Sequence, residues 1–360
     1  MWPDRRLLDL LGIDLPIIQA PMAGANGSAM AIAVSEAGGL GSLPCAMLDP
    51  AKVRAEIGII RQRTAKPINV NFFCHTPPAP DPQREAAWRV RLGAYYMELG
   101  LDPDAAAPAV NRAPFDETTC GIVEDLEPEV VSFHFGLPTR TLLDRVKAAG
   151  CLVIGSATTA DEARWLAANG CDAIIAQGSE AGGHRGMFLA DDIAAQAGTF
   201  ALVPQVVDAV AVPVIAAGGI ADGRGIAAAL ALGASGVQVG TGYLLTPEAT
   251  VTDLHRAALR AARDDRTALT NIFTGRPARG LINRAMRELG PISALAPAFP
   301  TAGGALAPLK ARAEAAGRSD FSSLWSGQAA ALAREMSAGE LTRKLAQDAL
   351  QRLAAISKRA

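Results

Sequence analysis

The sequence predicts an α/β fold, namely a (β/α)8 TIM barrel with a smaller helical second domain that comes from an insertion and the C-terminal region. Two observations lead to this prediction. Eight short apolar runs, rich in β-branched residues, alternate with alanine-rich stretches of helical period, which is the pattern of βα units around a parallel sheet. The chain of 360 residues also exceeds the ~250 residues of a simple barrel, so an appendage is expected.

The eight apolar runs give the expected positions of the barrel strands. Eight strands with seven intervening helices, and an eighth helix around residues 250–263, match a closed barrel better than an open sheet. Glycines that end several helices, as at Gly150, Gly170 and Gly233, support this count. The predicted strands are IIQAP (17–21), GLGSLP (39–44), INVNFF (68–73), VVSFHF (130–135), LVIGSA (152–157), AIIAQG (173–178), VIAAGG (214–219) and GVQVGT (236–241).

Two segments depart from the βα rhythm. Residues 75–115 hold a proline-rich turn and the helical stretch REAAWRVRLGAYYMELG, and are far longer than a normal βα loop. Residue 270 is followed by a proline-rich region and two predicted helices, at 326–337 and 339–357. The expected domains are a ligand-binding barrel of residues 1–74 and 116–270, and a helical lid with the C-terminal helices of residues 75–115 and 271–360.

Composition excludes several classes of partner. The chain has 34 basic and 36 acidic residues, a net charge of −2, and only 19% charged residues. Such a balance offers no basic surface for nucleic acid or for an anionic membrane. We therefore expect a small-molecule partner. A homodimer is retained as one alternative for the oligomeric state.

Cysteine usage and the N-terminal segment predict the compartment. The five cysteines are odd in number and lack CxxC spacing, so we expect neither a disulfide framework nor a zinc site, and no metal. The start, MWPDRRLLDLLGIDLP, lacks the unbroken apolar stretch of a signal peptide, and no run of about 18 apolar residues follows. These features favour a cytoplasmic protein without a membrane span.

Paired glycines follow the last two predicted strands, where a barrel of this kind commonly binds phosphate. Gly218 and Gly219 precede a helix that Asp222 can cap, and Gly240 and Thr241 follow the eighth strand. Small residues let backbone amides approach an anion, and a helix N-terminus adds partial positive charge. The alternative for either motif alone is a tight strand-to-helix turn, whereas both together favour a phosphate site.

Amide side chains lie at three other strand ends. Asn71, Gln177 and Gln238 can each donate and accept hydrogen bonds, which suits the edge of a flat heterocycle. The alternative is that buried amides tie loops together, and it competes closely for Gln238 and for Asn69. We interpret Gln177, beside the histidine-bearing loop described next, as a ligand contact.

The segment AQGSEAGGHRG places one histidine, His184, among four glycines after the sixth strand. An imidazole exchanges a proton near neutral pH, so His184 is the predicted catalytic residue, and a surface loop histidine is the alternative. His134 lies between two phenylalanines at a strand end. Two interpretations stay open for it, a packed, hydrogen-bonded ring and a substrate contact. We interpret His75 as incidental and His255 as a residue of a surface helix.

Two arginines in the segment TGRPARG form a further candidate group. Arg276 and Arg279 could hold a carboxylate or phosphate in a bidentate manner. We favour the alternative for both, a salt bridge that anchors the lid.

The ordered set QAPMAG, AGGLGSLP, INVNFF, VVSFHFGLP, AQGSEAGGHRG, VIAAGGIADGRG, GVQVGTGYLLTPEA and TGRPARG resembles the nitronate monooxygenase family over nearly the whole chain. The resemblance implies an FMN-dependent barrel enzyme that oxidises alkyl nitronates, such as propionate 3-nitronate, with O2 to a carbonyl product and nitrite. Its active-site histidine matches His184, and the substrate-binding histidine matches His134. The predicted FMN-binding residues are Pro21, Met22, Ala23, Asn71, Gln177, Gly182, Gly218, Gly219, Gln238, Val239, Gly240 and Thr241.

The resemblance leaves two roles for His184. It is a base if a neutral nitroalkane binds, and it holds the nitro oxygens if the substrate arrives as the nitronate. The chain departs from the family pattern at Phe299, where a tyrosine is frequent, so one hydroxyl contact with substrate is missing. Alternatives are an FMN-dependent NAD(P)H:quinone or enoyl reductase, and a flavin-free phosphosugar isomerase or lyase that uses His184 as its base.

Overall fold

The computed structural model describes residues 2–106, 108 and 112–358, and it confirms the predicted barrel. Eight parallel strands form one sheet, and a backbone bridge between Ile18 and Leu40 closes it. The strands of the chain are β1 (Ile17–Gln19), β2 (Gly41–Pro44), β3 (Ile68–Phe73), β4 (Val130–His134), β5 (Leu152–Ala157), β6 (Ala173–Gln177), β7 (Gly183–His184), β8 (Val214–Ala217), β9 (Gly236–Val239), β10 (Thr267–Thr270) and β11 (Ala278–Leu281).

The barrel strands run in the order β1-β9-β8-β6-β5-β4-β3-β2 around the sheet. They are buried on both faces, which explains why each reads as a continuous apolar run. The strand register aligns Gln177 with Ala217, and Ala217 with Gln238, so two of the predicted amides end in one row at the same rim. Similarly, Asn71 pairs with Ser132.

Helices surround the sheet and fill the insertion and the C-terminal region. Side-chain caps start several of them: Asp49 accepts a hydrogen bond from the Lys52 amide, and Asp222 accepts from the amides of Arg224 and Gly225. The helices are α1 (Arg6–Leu11), α2 (Ser28–Glu36), α3 (Pro50–Arg61), α4 (Pro82–Glu98), α5 (Glu117–Leu126), α6 (Arg140–Ala148), α7 (Ala160–Ala168), α8 (Thr199–Ala209), α9 (Gly223–Ala231), α10 (Asp253–Arg260), α11 (Arg284–Leu289), α12 (Ala302–Ala315) and α13 (Ala338–Ser357).

The last helix belongs to the barrel layer. Helix α13 packs against both α9 and α2, and Leu341 and Leu345 are part of the barrel core. At Gly223 a side chain is excluded, since a Cβ there would lie 2.5 Å from the amide nitrogen of Ala349. This packing differs from the expected eighth helix around residues 250–263, because α10 forms in that region but packs on a short 3-10 turn, Ala330–Leu332.

The prediction of a helix at 326–337 is wrong, because only that 3-10 turn forms there. The insertion does pack on the C-terminal region as expected, with α4 against α12. Trp88 donates a hydrogen bond to the Ala302 carbonyl at 3.2 Å, and the Tyr96 hydroxyl donates to that of Ala305 at 2.5 Å. We propose on this packing that the lid includes α4 and α12, and that α13 belongs to the barrel domain.

A three-stranded antiparallel sheet, β10-β11-β7, connects the lid region to the loop after β6. The sequence analysis did not predict it. Within the described part of the chain, no helix combines the length and apolar character needed to cross a bilayer, and no cluster of metal-ligating side chains is found.

Candidate active site

The carboxyl ends of the barrel strands open into a cavity of about 380 Å³. The predicted site residues meet there, although they come from six separate segments of the sequence. Those that line the cavity are Pro21, Met22, Ala23, Asn71, His134, Gln177, Gly182, His184, Gly218, Gly219, Gln238, Gly240 and Thr241. Val239 is the exception, because its side chain is buried in the barrel core and its carbonyl accepts a hydrogen bond from the Ala20 amide at 2.8 Å.

His184 is held in place by a strand and a hydroxyl group. Residues 183–184 form β7, which pairs with β11 so that His184 lies opposite Ala278. The ring nitrogen Nε2 lies 2.9 Å from Oγ1 of Thr274. The His184 carbonyl accepts hydrogen bonds from Nε2 of Gln177 at 3.0 Å and from Nε2 of His134 at 3.2 Å. The backbone and the ring are therefore both fixed.

The glycines around His184 permit close packing rather than flexibility. A Cβ at Gly182 would lie 2.5 Å from the amide nitrogen of Gly327, and a Cβ at Gly186 would lie 2.9 Å from Cε1 of His134. Both distances are shorter than Cβ contacts in real proteins. The backbone of this loop therefore touches its neighbours at two glycines.

The predicted amides differ in how much of their hydrogen-bonding capacity the chain already uses. Gln177 ties the loop, because Nε2 donates to His184 and Oε1 accepts from the Gly186 amide at 2.8 Å. Asn71 donates to Ser132 through Nδ2, at 2.9 Å to the hydroxyl. Gln238 Oε1 is buried and has no partner among the described residues. Gln238 is thus the amide with the greatest unmet demand for a ligand donor.

The predicted glycine motifs form a small-residue cradle at the rim of the same cavity. Gly218 and Gly219 have φ values of +114° and +70°, a left-handed backbone that favours glycine. Thr241 accepts a hydrogen bond from the Gly327 amide through Oγ1 at 2.8 Å. Both of the expected glycine motifs therefore line one cavity with His184.

Burial makes the two site histidines neutral. It lowers the pKa of His184 well below the usual value, and the nearby Arg112 guanidinium lowers it further. Burial also lowers the pKa of His134 to about 3. Because the His184 carbonyl can only accept, the proton of neutral His134 lies on Nε2.

An aromatic wall adjoins the His184 ring. The ring centroids of Phe299 and Trp325 lie 5.4 Å and 5.5 Å from that of His184, and Phe73 and Phe135 are at 6.2 Å and 6.0 Å. Phe299 is buried beside His184. The hydroxyl of the tyrosine that is frequent at this position is therefore absent from this wall. The part of the cavity that holds His184 is therefore lined by aromatic rings.

Comparison with known proteins places the chain. A model of the nitronate monooxygenase family matches residues 4–348. The nitronate monooxygenase of Pseudomonas aeruginosa is 45% identical over 345 residues, 95% of this chain and 98% of that protein. The nitronate monooxygenase of Paraburkholderia phytofirmans is 42% identical over 350 residues, 96% of this chain and 95% of that protein.

The chain belongs to the nitronate monooxygenase family. It is accordingly an oxidoreductase. Among solved structures, a nitroalkane oxidase from Streptomyces ansochromogenes is similar with a TM-score of 0.88 and 39% identity, over 98% of this chain and 99% of that one. FabK from Thermotoga maritima is similar with a TM-score of 0.76 and 29% identity, over 100% of both chains.

Two histidines that the sequence analysis set aside are buried in this family member. His255 is not on the surface, since it is 8% exposed and lines the cavity. His255 and Leu259 are the buried residues of helix α10. Their i, i+4 spacing puts both on one face of the helix, and this was the sequence signal for the burial of His255. His75 is 4% exposed and packs on Phe299 with centroids 4.8 Å apart. Neither ring is incidental to the packing of this region.

The prediction of lid-anchoring salt bridges by the TGRPARG arginines is wrong for the described residues. Arg276 stacks over the Phe135 ring at 4.0 Å and donates to the Met187 carbonyl. Arg279 donates to the Ser179 carbonyl at 2.8 Å. Both guanidinium groups hold backbone carbonyls beside the site, because β11 lies next to β7 rather than at the lid surface.

Four residues at this cavity were not predicted from the sequence. Arg112, Lys310 and Trp325 line the cavity, and Thr274 contacts His184. They come from the insertion and the C-terminal region, where no strand pattern indicated which side chains return to the barrel rim.

Proposed function

We propose that this chain oxidises alkyl nitronates, such as propionate 3-nitronate, with O2 in an FMN-dependent reaction that yields a carbonyl product and nitrite. The observation that carries the proposal is a single cavity lined by His184 and by the small residues after β8 and β9. These are Gly218 and Gly219 after β8, and Gly240 and Thr241 after β9. Family membership supports the substrate class. The five cysteines of the chain are free thiols, which agrees with a cytoplasmic location.

The residues present fit a flavin mononucleotide. Gly218, Gly219, Gly240 and Thr241 would hold the phosphate, since small residues allow backbone amides to approach it. The unpaired buried oxygen of Gln238 calls for an N–H donor, which the edge of an isoalloxazine ring provides. Asn71 and Gln177 would complete that edge, with Pro21, Met22 and Ala23 along the ring. Gly182 lines the same cavity.

Bound FMN supplies the electron-accepting chemistry, and the chain's own residues bind and orient the substrate. His184 is neutral and lies against the aromatic rings that line this part of the cavity. Either group can donate the hydrogen bond between His184 Nε2 and Thr274 Oγ1, and the donor determines the role of the other ring nitrogen, Nδ1. If Thr274 donates, Nδ1–H donates to a nitro oxygen; if His184 donates, Nδ1 accepts the proton of a nitroalkane.

His134 positions this arrangement rather than exchanging protons itself. Its Nε2 donates to the His184 backbone, and its pKa of about 3 keeps it neutral at physiological pH. A substrate contact through another part of the ring remains part of the proposal, because His134 lines the cavity.

The proposal is tested by the absorbance spectrum of the purified protein, followed by aerobic nitrite release from propionate 3-nitronate. We expect a yellow protein with a flavin spectrum, released FMN on denaturation, and nitrite formation that stops without O2. A colourless protein that binds no flavin would favour the isomerase or lyase alternative. Rapid anaerobic bleaching by NADH without nitronate turnover would favour a reductase.

A further inference from the structure

Arg112 is a cavity residue to which the proposed function gives no task. It lies in the insertion between α4 and α5 and lines the same cavity as His184. Its guanidinium carbon, Cζ, is 5.7 Å from the centroid of the Phe299 ring. His184 lies 5.4 Å from that same centroid. Arg112 and His184 therefore both lie against the Phe299 ring.

The guanidinium of Arg112 has no counter-charge within the described part of the chain. No carboxylate there lies within ion-pair distance, and its one recorded side-chain contact is the Phe299 ring. Residues 107 and 109–111, which are not described, are Ala, Ala, Val and Asn and so contribute no acid. Burial lowers the pKa of Arg112, as expected for a cation that is partly removed from water. No described residue accepts a hydrogen bond from its guanidinium, whose N–H groups can therefore bind an anion in the cavity.

Lys310 is the other lysine or arginine side chain that lines the cavity, and it is less suited to this task. Its Nζ lies 3.9 Å from Oε1 of Glu314, one turn further along α12. That carboxylate already compensates the ammonium charge. Arg276 has a buried guanidinium but stacks on Phe135 and does not line the cavity.

We propose that Arg112 binds a carboxylate of the substrate, so that the preferred substrates are short nitronates with a carboxylate at the end opposite the nitro group. The inference rests on the proposed function and deepens it. A guanidinium binds a carboxylate through two parallel hydrogen bonds, which fixes its orientation as well as its position. The carboxylate on Arg112 and the nitronate group beside His184 would then both lie next to the Phe299 ring.

The test compares two substrates of similar size that differ in the carboxylate, propionate 3-nitronate and propyl-1-nitronate. We expect Arg112→Met to lower kcat/KM for propionate 3-nitronate by about 10- to 100-fold and to change kcat/KM for propyl-1-nitronate by less than about threefold. Arg112→Lys keeps the charge but loses the bidentate geometry, so an intermediate loss is expected. It also covers the case in which the methionine variant folds poorly.

Two control variants make the comparison specific. Arg63→Met removes the same charge from an exposed position before β3, and it should leave the ratio of the two kcat/KM values unchanged. Lys310→Met removes the other cavity cation, and we expect a smaller change in this ratio than with Arg112→Met. An unchanged ratio in Arg112→Met, or a collapse of the ratio in Lys310→Met alone, would overturn the assignment.

A binding measurement separates this inference from the proposed function. We expect 3-nitropropionate to raise the melting temperature of the purified wild-type protein but not of Arg112→Met, whereas 1-nitropropane should affect both proteins equally. If this pattern holds and no nitrite is released, the carboxylate site stands and the proposed reaction fails. If nitrite is released but neither the selectivity nor the thermal shift depends on Arg112, the proposed reaction stands and the carboxylate site fails.

Discussion

His184 is a neutral ring in a fixed position, and this determines what it can do. Burial and neighbouring positive charge both hold its pKa well below the usual value, so it carries no charge near pH 7. A neutral ring can hold a nitronate oxygen only by a hydrogen bond and not by its charge. The contact with Thr274 fixes the ring so that the remaining nitrogen, Nδ1, is available to substrate.

The first prediction concerns His184 itself. His184→Asn should keep the flavin spectrum, because the predicted flavin contacts lie on other residues, and should lower kcat/KM for nitrite release by about 100-fold or more. Thr274→Ser, which keeps the hydroxyl beside Nε2, is the matched control and should stay near wild type. Unchanged turnover in His184→Asn would remove the assigned role.

The second prediction concerns His255 and the pH dependence of stability. Burial lowers the pKa of His255 to about 4, whereas in the unfolded chain it is ~6.5. Between these values the unfolded state binds a proton that the folded state does not, so the free energy of unfolding falls as the pH drops from 6.5 towards 4. Above pH 6.5 this contribution is complete and constant.

Urea unfolding at pH 7 and pH 4.5 measures this effect. We expect His255→Gln to lose about 2 kcal/mol less than wild type between these two pH values, because glutamine does not titrate. Parallel losses in the two proteins would show that His255 is not held neutral by burial.

At the scale of elements, the loop after β6 shows what a sequence can and cannot reveal. The cluster of glycines around His184 is visible in the sequence, whereas the close backbone packing that two of them permit is not. The pairing of β7 with β11 joins segments about ninety residues apart, and no local pattern in a two-residue strand can indicate such a partner. The barrel strands, in contrast, were predictable because each is a buried apolar run with its own flanking helix.

The third prediction tests this close packing. Gly182→Ala places a methyl group 2.5 Å from the Gly327 amide nitrogen, and that backbone cannot move away without displacing β7. We expect lower flavin occupancy and a loss of kcat/KM of at least about tenfold, as His184 shifts from its position. Gly121→Ala, in α5 with open space around the position, is the control and should fold and react like wild type. Normal activity in Gly182→Ala would mean that the loop adapts freely.

At the scale of the whole molecule, the barrel is completed by a helix that lies far along the chain. The sequence predicted α13, with Leu341 and Leu345 on one face at helical spacing, but placed it with the lid. Its neighbours α2 and α9 come from opposite ends of the barrel sequence, so its position depends on long-range packing. The insertion after β3 and the residues between β9 and α13 therefore interrupt the regular βα order, and α13 then returns to the barrel layer.

The fourth prediction follows from this placement of α13. Leu345 is 2% exposed in the barrel core, so Leu345→Ala should lower the free energy of unfolding by about 2–4 kcal/mol. Arg352→Ala, on the exposed face of the same helix, should cost less than about 0.5 kcal/mol. Denaturant unfolding of the two variants makes the comparison. Equal, small losses would show that α13 adds little to the barrel.

The central claim is that one cavity holds a phosphorylated redox ring between the glycine pairs and His184. A crystal structure of the purified protein with its bound cofactor tests this most directly. We expect the FMN phosphate beside Gly218, Gly219, Gly240 and Thr241, an edge of the ring on Gln238 Oε1, and the imidazole of His184 facing the ring. Phosphate density at another place, or His184 turned away from the ring, would contradict the account.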